Sequence, residues 1–439
     1  MKDIPIISYT SQEGKDLFAR IEAERSARDT VVEERVNRIF EEIAAEKDAA
    51  LFACCRRFDQ RTLTGDTLCV SREEISRQAA RVAPKLQETI RVAAERIEAY
   101  HARQVVDTSF SMETAEGTLS QRVLPLKRVA LYIPGGYTVY PSTVLMNGIP
   151  ARLAGVEEIV ALTPCRNGEL APEIAFVLEY LGITTVYQMG GAHGVAALAL
   201  GTESVAPVDK IVGPGNAYVA AAKKQAYGRV DIDSIAGPSE IAILADACAD
   251  PHWMALDLLS QAEHGSGDET ALFVTEDRAL VTAVHAALLK AMEESPTRSV
   301  FENLSDHAIV LVHTASRSES YAVLNNVGPE HLEIVTEDPA ADLEHIYTAA
   351  AVFLGPYTPV PLGDYFVGTN HVLPTGGAGR YASPLGVPDF QKRISVAEVH
   401  AAGLKQCAPH VSRFARAEKF IHHAMTVEAR TGYSPEQSE

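Results

Sequence analysis

"RVALYIPGG", Arg128 to Gly136, decides how this chain is read. Val129 to Ile133 form a short apolar run, and Pro134-Gly135-Gly136 breaks it at once. A run of that length with breakers at its exit reads as a strand rather than a helix. Working outward, a helical segment starts at Ser142, then come "EEIVALT", a helix from Pro172, "TTVYQMG", a further helix and "DKIVGPGN". Strands and helices alternate with glycines at the strand exits, which predicts a parallel sheet built from βαβ units. The pattern restarts at "EIAILAD" from Glu240 and continues through "TALFVTED", "HAIVLVH" and "AAVFLG". The fold class expected is therefore α/β, with two tandem, incomplete Rossmann-like domains carrying parallel sheets.

Upstream, "TVVEERVNRIFEEIAAEKDAALFACCRRF" and "KLQETIRVAAERIEAYHARQ" carry apolar residues at helical spacing with charges between them. The first hundred residues read as helices, a clasp or oligomerisation arm with no catalytic cluster. From about Leu385 the chain reads as helical to its end, including "RFARAEKFIHHAMTVEAR". No repeat of fixed short period is present, which argues against a solenoid.

Bulk properties narrow the function. A length of 439 residues exceeds one ordinary core. No apolar run approaches the roughly 20 residues that cross a bilayer. The stretch "MKDIPIISYTSQEGKD" has no basic region followed by an apolar one, so the cytoplasm is the expected location and no membrane is expected as partner. Lys and Arg number 39 against 58 Asp and Glu, a net charge of −19, which repels nucleic acid. Cys54, Cys55, Cys69, Cys165, Cys248 and Cys407 show no CxxC spacing and read as small buried apolar residues.

Several polar groups stand where chemistry could happen. "LLSQAEHGSGDE" puts Gln261 and His264 at i, i+3 on one helix face, a spacing that can present two ligands to one metal ion, with Glu263 facing elsewhere. A bare Gln-x-x-His is more commonly a polar helix end. "GDYFVGTNH" adds Asp364 and His371, and "FIHHAM" adds His422 and His423. Gln261, His264, Asp364 and one of those two histidines make a nitrogen- and oxygen-donor set suited to Zn²⁺. In "NNVGPEHLEIV", Glu330 and His331 are adjacent and point different ways, as two bases serving two proton transfers would. The plainer alternative is a surface glutamate beside a satisfied histidine. "GPGNAY", Gly213 to Tyr218, supplies two glycines of a dinucleotide loop but Tyr218 where the third belongs, so a tight turn without function explains it equally well.

Taken together, "GPGNAYVAAAKKQ", "IAGPSEIAILAD", "LLSQAEHG", "GPEHLEI", "GDYFVGTNHVLPTGG" and "SPLGVPDFQK", in this order, resemble histidinol dehydrogenases over nearly the whole chain. The resemblance implies an NAD-dependent, zinc-containing, intertwined homodimer that oxidises L-histidinol through L-histidinaldehyde to L-histidine. It implies zinc held by Gln261, His264, Asp364 and His423, the last chosen over His422 because it stands five residues after Glu418. Glu330 and His331 match the acid/base pair. Ser239, Gln261, His264, His331, Asp364, Glu418 and His423 match substrate contacts, with His371 another. Tyr132 and Asn216 match nucleotide contacts, and His193 stands where a glutamine is often found beside the nucleotide. The domains implied are a helical arm at 1–107, a metal-carrying α/β domain at 108–131 and 239–384, a nucleotide-binding domain at 132–238, and a C-terminal segment at 385–439 that reaches the partner subunit and shares its active site. Tyr137, Val360 and His193 depart from the family's common residues. A related small polar alcohol is therefore the second substrate reading, and a zinc hydrolase without NAD is the rival of a different class.

Overall fold

The structure, a computed structural model, describes residues 4–26, 30–135, 139–165, 168–235, 237–264 and 269–434. Tyr137 and Gly136 lie outside them. The chain divides into two compact units, residues 1–104 with 127–390 and residues 105–126 with 391–439.

The first unit contains two parallel sheets. The five-stranded sheet runs in the order Thr185–Tyr187, Glu158–Leu162, Arg128–Tyr132, Lys210–Val212, Asp231–Ile232. The six-stranded sheet runs in the order Ile6–Ser8, Ile309–His313, Thr270–Thr275, Glu240–Ala245, His331–Val335, Ala351–Leu354. Central strands such as Glu240–Ala245 and Thr270–Thr275 are buried along their whole length. That is why they read as continuous Val, Ile, Leu and Ala runs without alternation: helices cover both faces of such sheets. In each sheet the strand order reverses beside a central strand, between Arg128–Tyr132 and Lys210–Val212 in one and between Glu240–Ala245 and His331–Val335 in the other.

The α/β expectation holds, with three corrections. The first hundred residues are not all helical, because Ile6–Ser8 is an edge strand paired in parallel with Ile309–His313. Three residues are too few for a period to register. The stretch after Leu385 is not all helical either, since Gln391–Val399 pairs antiparallel with Gly117–Pro125, which pairs with Phe110–Glu113. This small sheet belongs to the second unit together with helices Ala401–Ala417 and Ile421–Thr431. Gln391–Val399 is exposed along nearly its whole length, so no in/out alternation marks it as a strand. Of the cysteines, Cys54, Cys55 and Cys165 are buried as expected, but Cys69 and Cys248 are exposed and Cys407 is half-buried.

The helices read as an arm pack into the first unit. Val32, Val36, Ile39, Phe40 and Ile43 of Thr30–Glu46 share one apolar cluster with Val195, Ala199, Val219 and Ala222 of the helices covering the five-stranded sheet. Leu17, Phe18 and Ile21 of Gln12–Ser26 share another with Leu272, Val310 and Leu324 of the six-stranded sheet region.

Candidate active site

His331 is the first residue of its strand and pairs with Ile241 and Ala351 on either side. The residue is 5 % exposed. Nδ1 lies 2.9 Å from the Glu240 carbonyl oxygen, which can only accept, so Nδ1 carries the proton and Nε2 keeps its lone pair. Nε2 has no hydrogen-bond partner; Asp364 Oδ1 stands 3.8 Å away. Burial, with the nearby His264 and His371 rings adding to it against the Glu240 hydrogen bond, pushes the imidazole down to about 4, so it is neutral at pH 7.

Glu330, the preceding residue, is also buried, and its Oε2 accepts the Glu240 N–H at 2.9 Å. Burial holds its carboxyl well above the usual carboxylate range; the Glu240 N–H opposes this and the Glu240 and Asp364 carboxyls reinforce it. Glu240 thus fixes both members of the pair through its main chain, its carbonyl to the imidazole and its N–H to the carboxyl. Its own side chain is buried against Arg25, Nη2 to Oε1 at 2.6 Å, and Arg25 also donates to the Val327 carbonyl at 2.7 Å. Neither residue was anticipated from sequence, because a role exercised through backbone groups leaves no side-chain signal.

The expected ligand residues of the first unit gather here. Helix Pro251–Ala262 ends at this edge with Gln261 1 % exposed, its Nε2 3.5 Å from His331 Nδ1 and its Oε1 buried without a partner. His264 Nδ1 lies 3.0 Å from the Gln261 carbonyl, which leaves Nε2 available. Asp364, on the short helix Val360–Tyr365, is pushed up to about 6 by burial, with the His264 ring opposing. His371 Nδ1 is 2.9 Å from the Asp364 carbonyl, and burial lowers that ring to about 4. Ser239 immediately precedes Glu240, and its carbonyl accepts the Thr270 N–H at 3.1 Å. An unpartnered amide oxygen, an imidazole nitrogen and a carboxylate gathered around His331 fit the donor set of a divalent zinc ion.

A second layer ties the three elements carrying these residues. Glu333, two positions along the strand from His331, accepts the Val360 N–H at 2.9 Å and is hydrogen-bonded to Asp257, one turn before Gln261. Burial raises both carboxyls. Val360 itself lies 1 % exposed in the apolar cluster with Leu258 and Phe353.

Glu418 and His423 belong to the second unit. Glu418 caps the C-terminus of Ala401–Ala417, and His423 lies in Ile421–Thr431 with its ring 5.1 Å from that of Phe420; both residues are exposed, as is His422.

Tyr132, His193 and Asn216 line one cleft of about 1050 Å³ beyond the carboxyl ends of the five-stranded sheet, at its reversal point. This is where open α/β sheets bind ligands. Tyr132 ends its strand, and its hydroxyl, pushed up to about 12 by burial, accepts the Gly191 N–H at 3.1 Å. Gly213, at φ 115°, opens the loop after Lys210–Val212; a Cβ there would stand 2.1 Å from the Tyr132 carbonyl oxygen, so only glycine fits. Lys223 locks this loop from beneath: its buried ammonium pairs with Asp233 and donates to the Gly213 carbonyl at 2.9 Å. Asn216 Oδ1 caps the next helix by accepting from Tyr218 and Val219 at 3.1 and 3.2 Å. His193 Nε2 is 2.8 Å from Asp59 Oδ2, and its ring stacks on Phe58.

Cys55, Asp59 and His193 also bring three donor atoms within 4.8 Å of one another. None is in the expected zinc set. The Asp59–His193 hydrogen bond and a Cys55 thiol that burial pushes up to about 12 account for this group without an ion.

Two parallel sheets, a cleft at the reversal point of one and a buried acid–imidazole couple where the central strands of the other begin define an open-sheet α/β protein with a candidate ligand site. The sequence profile described as histidinol dehydrogenase matches residues 22–431. The histidinol dehydrogenase of Bacillus subtilis is 44% identical over 398 residues, covering 90% of this chain and 92% of that one. That of Moorella thermoacetica is 43% identical over 422 residues, 95% of this chain and 98% of the relative. The crystal structure of histidinol dehydrogenase from Elizabethkingia anophelis superposes with a TM-score of 0.87 at 33% identity, covering 98% of each chain. The chain belongs to the histidinol dehydrogenase family.

Proposed function

We propose that this chain oxidises L-histidinol to L-histidine through the aldehyde, passing two hydrides to NAD⁺, with His331 and Glu330 as its bases. The observation that carries the reading is the His331 imidazole: buried, neutral, oriented through Nδ1, and with Nε2 free of any hydrogen bond 3.8 Å from Asp364 Oδ1. In the first oxidation His331 Nε2 takes the hydroxyl proton while the carbinol hydride leaves for the nicotinamide. In the second, Glu330 takes a proton from water as its oxygen adds to the aldehyde carbon, the His331 imidazolium returns its proton to the aldehyde oxygen, and the neutral His331 then deprotonates the resulting diol as the second hydride leaves. The balance is one alcohol, one water and two NAD⁺ to one carboxylic acid, two NADH and two protons. Burial raises the Glu330 carboxyl well above the usual carboxylate range, which makes its ionised form a stronger base, and the Glu240 N–H at its Oε2 favours that charged form.

Gln261, His264 and Asp364, with His423 as fourth donor, would hold zinc. When bound, the ion supplies positive charge that anchors the amine and imidazole of the substrate and keeps nearby carboxyls ionised. Ser239, His371 and Glu418 complete the substrate contacts, and Tyr132, His193 and Asn216 face the nucleotide. We place the nucleotide with the five-stranded sheet and the chemistry with the six-stranded one. Glu418 and His423 come from the C-terminal segment of a partner chain in a homodimer. The surface of that segment supports this: Phe414 is 72% exposed, and Phe420, Ile421 and Met425 of the same helix pair are also exposed. Among the described residues no helix is long and apolar enough to cross a membrane, and we assign the protein to the cytoplasm.

The test is turnover of L-histidinol with NAD⁺, counting NADH per substrate consumed. Two are expected; none, with any amino alcohol, would favour the hydrolase reading. Chelator treatment is expected to abolish turnover, with recovery on adding Zn²⁺. Far-UV circular dichroism should barely change, because the apolar clusters of both sheets stand without the metal site. Loss of the helical signal on chelation would show a structural ion instead.

A further inference from the structure

The cleft lined by Tyr132, His193 and Asn216 has one wall built by the N-terminal helices, and that wall is basic. Arg35 and Arg38, neighbours on the Thr30–Glu46 helix, Arg57 near the end of Asp48–Phe58, and Arg61 just beyond it all line the cleft. In a chain of net charge −19 this reverses the local sign: four guanidiniums face two carboxylates, Glu42 and Asp59. One of those carboxylates is already engaged by His193.

The four arginines divide into two kinds. Arg35 is tethered to the Tyr218 hydroxyl at 2.6 Å, and Arg61 to the Cys165 carbonyl at 3.1 Å and the Gln188 side chain at 2.8 Å. Arg57 lies over the Phe58 ring at 4.9 Å. Among the described residues neither Arg38 nor Arg57 has a carboxylate within ion-pair distance. Four like charges around a concavity repel one another unless an anion is the regular occupant. The cleft also receives the N-terminus of helix Gly191–Leu200, whose partial positive charge has the same sign.

We propose that Arg35, Arg38, Arg57 and Arg61 form an anion subsite of this cleft that binds the pyrophosphate of the nicotinamide dinucleotide. The inference rests on the reading of the cleft as the nucleotide site and extends it to the N-terminal helices. A planar guanidinium meets two phosphate oxygens at once, so two untethered forks suit the two bridging phosphates. Arg35 and Arg61, already held by neutral partners, keep their charge in place and lower the ordering cost of binding.

The test uses Arg38→Gln, Arg57→Gln and the double variant of the full-length protein. Each single change should raise KM for NAD⁺ about tenfold and the pair about a hundredfold, with kcat within about twofold, since the charge-assisted bonds are made equally in ground and transition states. Inhibition by ADP-ribose should weaken in parallel, and the dependence of KM on salt should flatten. Weak inhibition by nicotinamide, which has no phosphate, should be unchanged. If the double variant keeps the native KM for NAD⁺ and native inhibition by ADP-ribose while the unsubstituted protein makes NADH, the subsite is refuted and the nucleotide reading survives. If the unsubstituted protein neither makes NADH nor binds ADP-ribose, both fall.

Discussion

Replacing His331 with asparagine is expected to slow both oxidations by about 10²–10⁴-fold. Asparagine suits the test because its amide N–H can still donate to the Glu240 carbonyl that now receives Nδ1–H. What it lacks is a lone-pair nitrogen of useful basicity at the position of Nε2. The strand pairing with Ile241 and Ala351 is made by the backbone and survives the change. The same loss should therefore appear whether L-histidinol or L-histidinaldehyde is supplied, with KM little altered and thermal unfolding close to native. Turnover within about tenfold of native with either substrate would remove His331 from the proposed role.

For Glu330→Gln the expected effect falls on one half of the reaction. The glutamine carbonyl can accept the Glu240 N–H as Oε2 does, so the backbone stays as it is. It cannot take a proton from water. Oxidation of the aldehyde should drop about 10²–10³-fold, while the alcohol step loses far less. NADH per L-histidinol should then fall from two toward one, and an aldehyde trap should capture the intermediate. A variant that oxidises supplied aldehyde at the native rate would mean that another group activates the water.

Sequence legibility followed burial. Strands such as Glu240–Ala245 are apolar throughout because helices cover them on both sides, and they were readable individually. Gln391–Val399 and Gly117–Pro125 pair over nine residues, yet Gln391–Val399 is nearly all exposed, and so they escaped a reading based on hydrophobic period. Ile6–Ser8 escaped through brevity. At the site, Gln261, His264 and Asp364 could be proposed as ligands from donor chemistry, but their meeting depends on contacts dozens of positions apart, Gln261 to His331 and His331 to Asp364. Glu240 was invisible because its contribution runs through its main chain, and Arg25 because it acts on Glu240 from a distant helix. The basic wall of the cleft was hidden for another reason: charges between apolar positions on a helix ordinarily mark a solvated face, and nothing in Arg35 or Arg38 alone says that the face borders a cavity.

The two sheets use opposite rims. Tyr132, Gly191 and Asn216 lie where strands finish and helices begin, whereas Glu240, His331 and Gln261 lie where strands begin and a helix finishes. Helix beginnings present N–H groups and helix ends present carbonyls, so the direction of the polypeptide alone makes one rim hospitable to anions and the other to cations. A phosphate-bearing coenzyme and a divalent ion would each meet the favourable pole of the same wiring. Neither would compete for the other's berth, even before a single charged side chain is counted.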